Sequence, residues 1–139
     1  MPINSGMMSS NRQDWSTPWD FYTKLDAEFH FTLDACATAK NTKHPNYFSP
    51  EDDALTKNWT GTVFMNPPYG RGIIKWVRKA YEEAQAGATV VCLLPARTDT
   101  AWFHDLCTKG DITFVRGRIK FSGAQAAPFP SMIVVFRGF

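Results

Sequence analysis

The sequence predicts an α/β fold with a mostly parallel sheet that ends in an antiparallel hairpin. Three observations carry this. Short apolar, β-branched runs at Thr62-Val63-Phe64-Met65 and at 88–94 read as strands buried on both faces. Between them, Ile73, Val77, Ala80, Tyr81 and Ala84 recur at helical spacing, with Gly87 as a stop. The chain then closes on strand-like segments at 112–115, 119–121 and 132–136, the last two separated by a loop containing Pro128-Phe129-Pro130.

Taken in order, residues 1–12 are small, polar and patternless, which predicts a mobile tail before one domain over 13–139. Thr17-Pro18 predicts a helix start, with Thr17 as the cap and Pro18 in the first helical position. Phe21, Leu25 and Phe29 form its apolar stripe, and the helix should end near Glu28. Phe31-Thr32-Leu33-Asp34-Ala35-Cys36-Ala37 reads as the next strand and its turn. The small residues there let a ligand approach the backbone. Asp34 either orients the charged amino-acid part of a cofactor or caps the turn. Residues 40–50 are polar and proline-bearing, hence mostly loop, with room for a very short strand at 46–48. In Glu51-Asp52-Asp53-Ala54-Leu55, either the acids form a solvated turn or one of them accepts from an adenine amino group; Asp53 is favoured because it directly precedes Ala54-Leu55. After 88–94 come Pro95 and Arg97-Thr98-Asp99, where Thr98 or Asp99 can cap a helix through Ala101, Trp102, Leu106 and Cys107. Arg116, Arg118 and Lys120 are spaced two apart. On a strand they would share one face, either simply solvated or fitted to phosphates.

Composition narrows the class. The 139 residues are 44% hydrophobic and 20% charged, an ordinary globular balance. A net charge of +2 permits a nucleic-acid partner without requiring one. Cys36, Cys92 and Cys107 are odd in number and lack CxxC spacing, which predicts neither a disulfide framework nor a zinc site. No metal is expected. There is no apolar run of membrane length and no signal peptide, so a soluble intracellular protein is expected.

The chemistry concentrates at Asn66-Pro67-Pro68-Tyr69, where a strand hands over to a helix. Ligands of open α/β sheets bind at such carboxyl ends. The two prolines remove backbone donors and stiffen the loop. It then presents one side-chain amide, carbonyl oxygens and an aromatic ring. These groups suit an exocyclic amino group of a nucleobase, a poor nucleophile whose lone pair is delocalised. The Asn66 oxygen and the Pro67 carbonyl can hold its two hydrogens, which favours a pyramidal nitrogen, while Tyr69 stacks on the base. No strong base is required, so catalysis is positioning and preorganised dipoles.

Asn66-Pro67-Pro68-Tyr69 resembles motif IV of the amino-group methyltransferases that use S-adenosylmethionine. From Trp15 to Phe136 the chain resembles the phage DNA N-6-adenine-methyltransferase family. The matching segments are Trp15-Ser16-Thr17-Pro18, 31–37, Asp52-Asp53-Ala54-Leu55, 66–70, 93–99 and Ala127-Pro128-Phe129-Pro130-Ser131. The resemblance implies a compact Rossmann-like methyltransferase core, S-adenosylmethionine as methyl donor, and adenine in double-stranded DNA as acceptor. It implies a phage or prophage protein acting in the bacterial cytoplasm. It assigns Trp15, Thr17 and Pro18 to an N-terminal cofactor-contacting motif, and Asp34, Ala35 and Cys36 to motif I beside the methionine end. Asp53 and Leu55 become the adenine-binding acid and its apolar neighbour, and Asn66, Pro67, Pro68 and Tyr69 the catalytic loop. Arg97, Arg116, Arg118 and Lys120 are the expected DNA contacts, and Phe129 a second aromatic wall of the base pocket. The chain departs from the wider methyltransferase pattern in three places. Motif I lacks its glycine, the helix after the first strand has almost no room, and no acid ends a second strand to hold the ribose. The same chemistry on another amino group, in an RNA base, N4 of cytosine or a protein glutamine, is the alternative. The sequence leaves the recognition site and the oligomeric state open.

Overall fold

β2 (Thr62–Met65) lies between two parallel neighbours, β1 (Leu33–Asp34) and β3 (Thr89–Pro95). The computed structural model describes residues 16–121 and 126–138; Trp15 and the expected tail over 1–12 lie outside them. Beyond β3 the sheet continues through β5 (Ser131–Arg137) to β4 (Asp111–Phe114), giving the order β1-β2-β3-β5-β4.

The sheet is mixed rather than mostly parallel. β1–β2 and β2–β3 are parallel, whereas β3–β5 and β5–β4 are antiparallel. A parallel return normally requires a crossover helix. Among the described residues between β4 and β5 there is none, and β5 enters against both neighbours. The partner of β5 also differs from expectation. Residues 119–121 form no strand: the chain bends at 116–117, where Gly117 has φ +75°, and β4 itself pairs with β5. Ile119 is tied instead to the loop that follows, its carbonyl accepting from the Ala127 N–H at 2.8 Å.

Among the described residues three α-helices accompany the sheet: α1 (Trp19–Phe29), α2 (Ile73–Gln85) and α3 (Ala101–Asp105). Of the predicted face α2 buries Ile73, Val77, Ala80 and Ala84, while Tyr81 is half-buried, and the chain turns out of the helix at Gly87, φ +120°. On α1 the fully buried residue is Tyr22. Its ring meets Phe31 and Phe64 at 5.4 and 5.2 Å, while Phe21, Leu25 and Phe29 are half-buried around it. α1 begins one residue later than expected, with Pro18 as its cap, and Thr17 is used elsewhere. α3 is capped by Thr100, whose hydroxyl accepts from the Phe103 N–H, and not by Thr98 or Asp99. Val90, Val91, Cys92, Leu93 and Leu94 of β3 are fully buried. Each such aliphatic side chain contributes about 1.5–3 kcal/mol of burial, which makes β3 the spine of the core.

Because β4 and β3 are both antiparallel to β5, they run the same way. The carboxyl ends of β1, β2, β3 and β4 therefore share one edge of the sheet. Asp34, Asn66, Arg97 and Arg116 lie at or just beyond those four ends.

Candidate functional site

The 66–69 loop leaves β2 at that edge. Asn66 is half-buried, and its Nδ2 donates to the Thr17 hydroxyl at 3.0 Å. This bond orients the amide, with nitrogen toward Thr17 and the acceptor oxygen in the remaining position. Pro67 is buried and Pro68 exposed. The Tyr69 hydroxyl donates to the Leu93 carbonyl at 3.0 Å, and its ring, 3% exposed, lies edge-on to Phe121 and Phe129 at 6.4 and 5.5 Å. Phe121 and Phe129 are 5.9 Å apart. The three rings form one aromatic cluster, so stacking of a base on Tyr69 requires Phe121 or Phe129 to move aside.

Beside Asn66 opens a cleft of about 660 Å³, within the size range of small-molecule sites. Asp34, at the end of β1, lies at its floor, 2% exposed. The carboxylate accepts from the backbone N–H of Lys43 at 3.1 Å and of Cys36 at 3.4 Å. Burial pushes its pKa up to about 6, against the pull of those two N–H groups and of the Lys43 and His44 charges. Fully buried Ala35 and half-buried Cys36 continue the floor, where small side chains leave room for a ligand. Burial also holds the Cys36 thiol well above its usual range, so it stays a neutral wall.

Asp53 also lines the cleft, exposed and in the left-handed conformation at φ 52°. It joins two single 3₁₀ turns, Pro50–Asp52 and Ala54–Thr56. The Asp52 carboxylate is engaged in its own turn, accepting from the Ser49 N–H and hydroxyl at 2.8 and 3.0 Å. That leaves Asp53 as the acid of this run that lines the cleft. A left-handed non-glycine residue is uncommon, Asp is among the types that tolerate it, and such positions cluster at ligand sites.

The structure thus brings Thr17, Asp34, Ala35, Cys36, Asp53, Asn66 and Pro68 around one cavity. Pro18 and Leu55 do not line it; Ala54 provides the apolar wall expected of Leu55. Arg97, Arg116, Arg118 and Lys120 are exposed. The last three occupy a bend and irregular chain, which corrects the expectation of one shared strand face. Arg118 also donates from Nη1 to the Ala127 carbonyl at 3.3 Å. Sequence reasoning missed Lys43, Phe48 and Trp76, all of which line the cleft. Phe48 had a signal in the short 46–48 segment, which bridges to β1 through Tyr47 and Asp34. Lys43 had none in its polar loop.

A buried carboxylate (Asp34), an accessible one (Asp53) and apolar side chains, all lining the same cleft, fit an adenosyl amino acid. Asp34 suits its ammonium group, Asp53 an adenine amino group, and Phe48 and Ala54 the ring. Among the described residues no group of three or more His, Cys, Asp or Glu could hold a metal, and no helix is long and apolar enough to cross a membrane.

Residues 4–139 match the family described as DNA N-6-adenine-methyltransferase (Dam). The chain belongs to this family. A relative from Haemophilus phage HP1 (strain HP1c1), named DNA N-6-adenine-methyltransferase, is 32% identical over 148 aligned residues, covering 98% of this chain and 85% of the relative. A protein of the same name from Escherichia phage T1 is 38% identical over 98 residues, 68% of this chain and 40% of the T1 protein. The family match extends over both the cleft and the Asn66 loop, so family membership and site geometry concern the same part of the chain.

Proposed function

We propose that this chain transfers a methyl group from S-adenosylmethionine to N6 of adenine in double-stranded DNA. The observation that carries the reading is the Asn66 amide, oriented by its 3.0 Å bond to Thr17 at the edge of a cleft floored by buried Asp34. Residues 13–139 act as one methyltransferase domain, a Rossmann-like core cut down to five strands. Family membership supports an enzyme working on DNA inside a phage-infected or prophage-bearing cell.

Bound in the cleft, the cofactor supplies an electrophilic methyl group. Asp34 takes its ammonium group, Thr17, Ala35 and Cys36 flank the amino-acid end, and Asp53 accepts from its adenine. Adenine N6 is inaccessible inside a stacked duplex, so the target base is extruded toward the Asn66 loop. The Asn66 oxygen and the Pro67 carbonyl accept from the amino hydrogens and turn the nitrogen lone pair toward the cleft. Tyr69 and Phe129 wall the base pocket once the aromatic cluster opens. Arg97, Arg116, Arg118 and Lys120 neutralise phosphates.

The direct test is transfer of labelled methyl from S-adenosylmethionine to duplex DNA, RNA and protein in parallel. DNA labelling is expected. Labelling of RNA or protein alone would favour the other amino acceptors.

Three further outcomes follow from the geometry. Asp53→Asn keeps a residue type that tolerates the left-handed turn but cannot carry the charge. It should leave thermal unfolding nearly unchanged and weaken cofactor binding in calorimetric titration; unchanged affinity would remove Asp53 from the site. Second, Asp34 must be ionised to hold an ammonium group, so affinity should be level above pH 6 and fall about tenfold per pH unit below it. The stability contribution has the opposite sign. The folded pKa of about 6 exceeds the ordinary 3.8, so the charged, buried carboxylate costs stability above pH 6, and that cost is relieved as pH falls from 6 toward 4. Titrations at pH 5 and 7.5 check this, and Asp34→Asn should bind weakly with the pH step gone. Third, Arg116→Ala and Lys120→Ala should each weaken binding to all DNA sequences alike and lower the salt slope by roughly one unit. A wild-type salt slope would mean that the side chain is merely solvated. Arg118→Ala should in addition loosen the 118–127 contact.

A further inference from the structure

We propose that Lys43 is the carboxylate-binding residue of the cleft, its ammonium group seated over the Trp19 ring near Asp34 to receive the carboxylate of the cofactor's amino-acid end. The inference rests on the methyltransferase reading and adds a residue to its site. The amino-acid end of S-adenosylmethionine is a zwitterion, so a site for it needs a cationic donor as well as an anionic acceptor. Asp34 supplies acceptors alone. Among the described residues lining the cleft, Lys43 is the one cation.

Its geometry suits the role. The Lys43 N–H donates to Asp34 Oδ2 at 3.1 Å, which ties the lysine backbone to the residue that takes the ammonium group. Nζ donates to the Asn41 carbonyl at 2.8 Å and lies 4.8 Å from the centre of the Trp19 ring. An ammonium group has three donors. The Asn41 carbonyl takes one, the ring face holds the charge without using a lone pair, and donor capacity remains for an anion. None of the ion pairs between described residues involves Lys43. The same contact gives a role to Trp19, a large apolar side chain left 59% exposed to solvent. The Asn41 turn connects this corner to the α1 approach, since Asn41 Nδ2 donates to the Ser16 hydroxyl at 3.3 Å. Burial lowers the Lys43 pKa although Asp34 raises it, so the charge is partly desolvated before any anion arrives. With Asp34 and Lys43 together, the bound zwitterion meets a locally neutral pair.

The test compares two ligands by calorimetric titration: S-adenosylhomocysteine, which has the amino-acid end, and 5′-methylthioadenosine, which lacks it. Lys43→Met keeps an apolar stem over Trp19 and removes the charge. It should weaken S-adenosylhomocysteine binding roughly tenfold to a hundredfold, the range of a lost charge-assisted hydrogen bond, and leave 5′-methylthioadenosine affinity unchanged. Lys43→Arg should recover part of the loss. Unchanged S-adenosylhomocysteine affinity in Lys43→Met would overturn the proposal. Equal losses for both ligands would overturn it too, because Lys43 would then only shape the cleft. A wild-type protein that bound neither ligand would overturn the methyltransferase reading itself and this inference with it.

Discussion

Asn66→Ala is expected to bind cofactor and DNA nearly as the unaltered protein does, and to methylate at least about a hundredfold more slowly, the usual loss when one preorganised polar contact to a reacting centre is removed. The effect belongs in the chemical step because the amide acts as the amino nitrogen changes geometry, not while the base is merely held. Single-turnover methylation at saturating DNA and cofactor isolates it. Thr17 provides an internal check. Its hydroxyl holds Asn66 Nδ2 at 3.0 Å, so Thr17→Val should slow the same step by a smaller factor through a misoriented amide. A near-normal single-turnover rate for Asn66→Ala would take Asn66 out of the chemistry.

Tyr69→Ala is expected to have the largest effect on stability and a large one on base capture. The ring is 3% exposed among Phe121 and Phe129, and its hydroxyl donates to Leu93 in the buried spine of the sheet. Truncating a buried aromatic costs about 3–5 kcal/mol, and a lost stacking surface about 1–3 kcal/mol more in binding of an extruded base. The two are separable. Tyr69→Phe keeps the ring and gives up one neutral hydrogen bond, about 1 kcal/mol, so it should stay folded and retain most base capture. Chemical denaturation reads the first effect, and affinity for duplex with a mismatch opposite the target adenine reads the second. Full stability of Tyr69→Ala would contradict the buried placement.

The elements that could be read from the sequence are those whose pattern has one physical cause. β3 is an unbroken apolar run because it is buried on both faces, and α2 shows helical spacing because one face meets the sheet. Segment 119–121 misled for the opposite reason. Ile119 and Phe121 alternate with polar residues as a strand would, yet they are buried in irregular chain, Phe121 against Tyr69 and Phe129. Period two there records burial, not pairing. The sheet direction was misjudged with it, since a missing strand at 119–121 hands the antiparallel partnership to β4.

For the candidate site, the local sequence singles out positions whose placement in the fold can be followed. Asn66 at the end of β2, Asp34 at the end of β1 and Asp53 in its turn were all legible, and the fold gathers them around one cleft. Contacts between distant segments were not. Thr17 reads as a helix cap from its neighbours, but its hydroxyl meets an amide 49 residues away. Tyr69 reads as an open stacking surface because nothing in its tetrapeptide reveals the two phenylalanines that cover it. Lys43 sits in a polar loop with no periodicity, and only the β1 turn brings it back to Asp34.

The central claim is the identity of the modified atom, and one measurement addresses it. Duplex DNA is incubated with the protein and S-adenosylmethionine, digested to nucleosides and analysed by mass and by retention against standards. N6-methyladenosine in its deoxy form is the predicted product, formed at least about a hundredfold more slowly when Asn66→Ala replaces the wild type. Methylation found on cytosine N4 instead, or unmodified DNA from a protein shown to bind the cofactor, would contradict it.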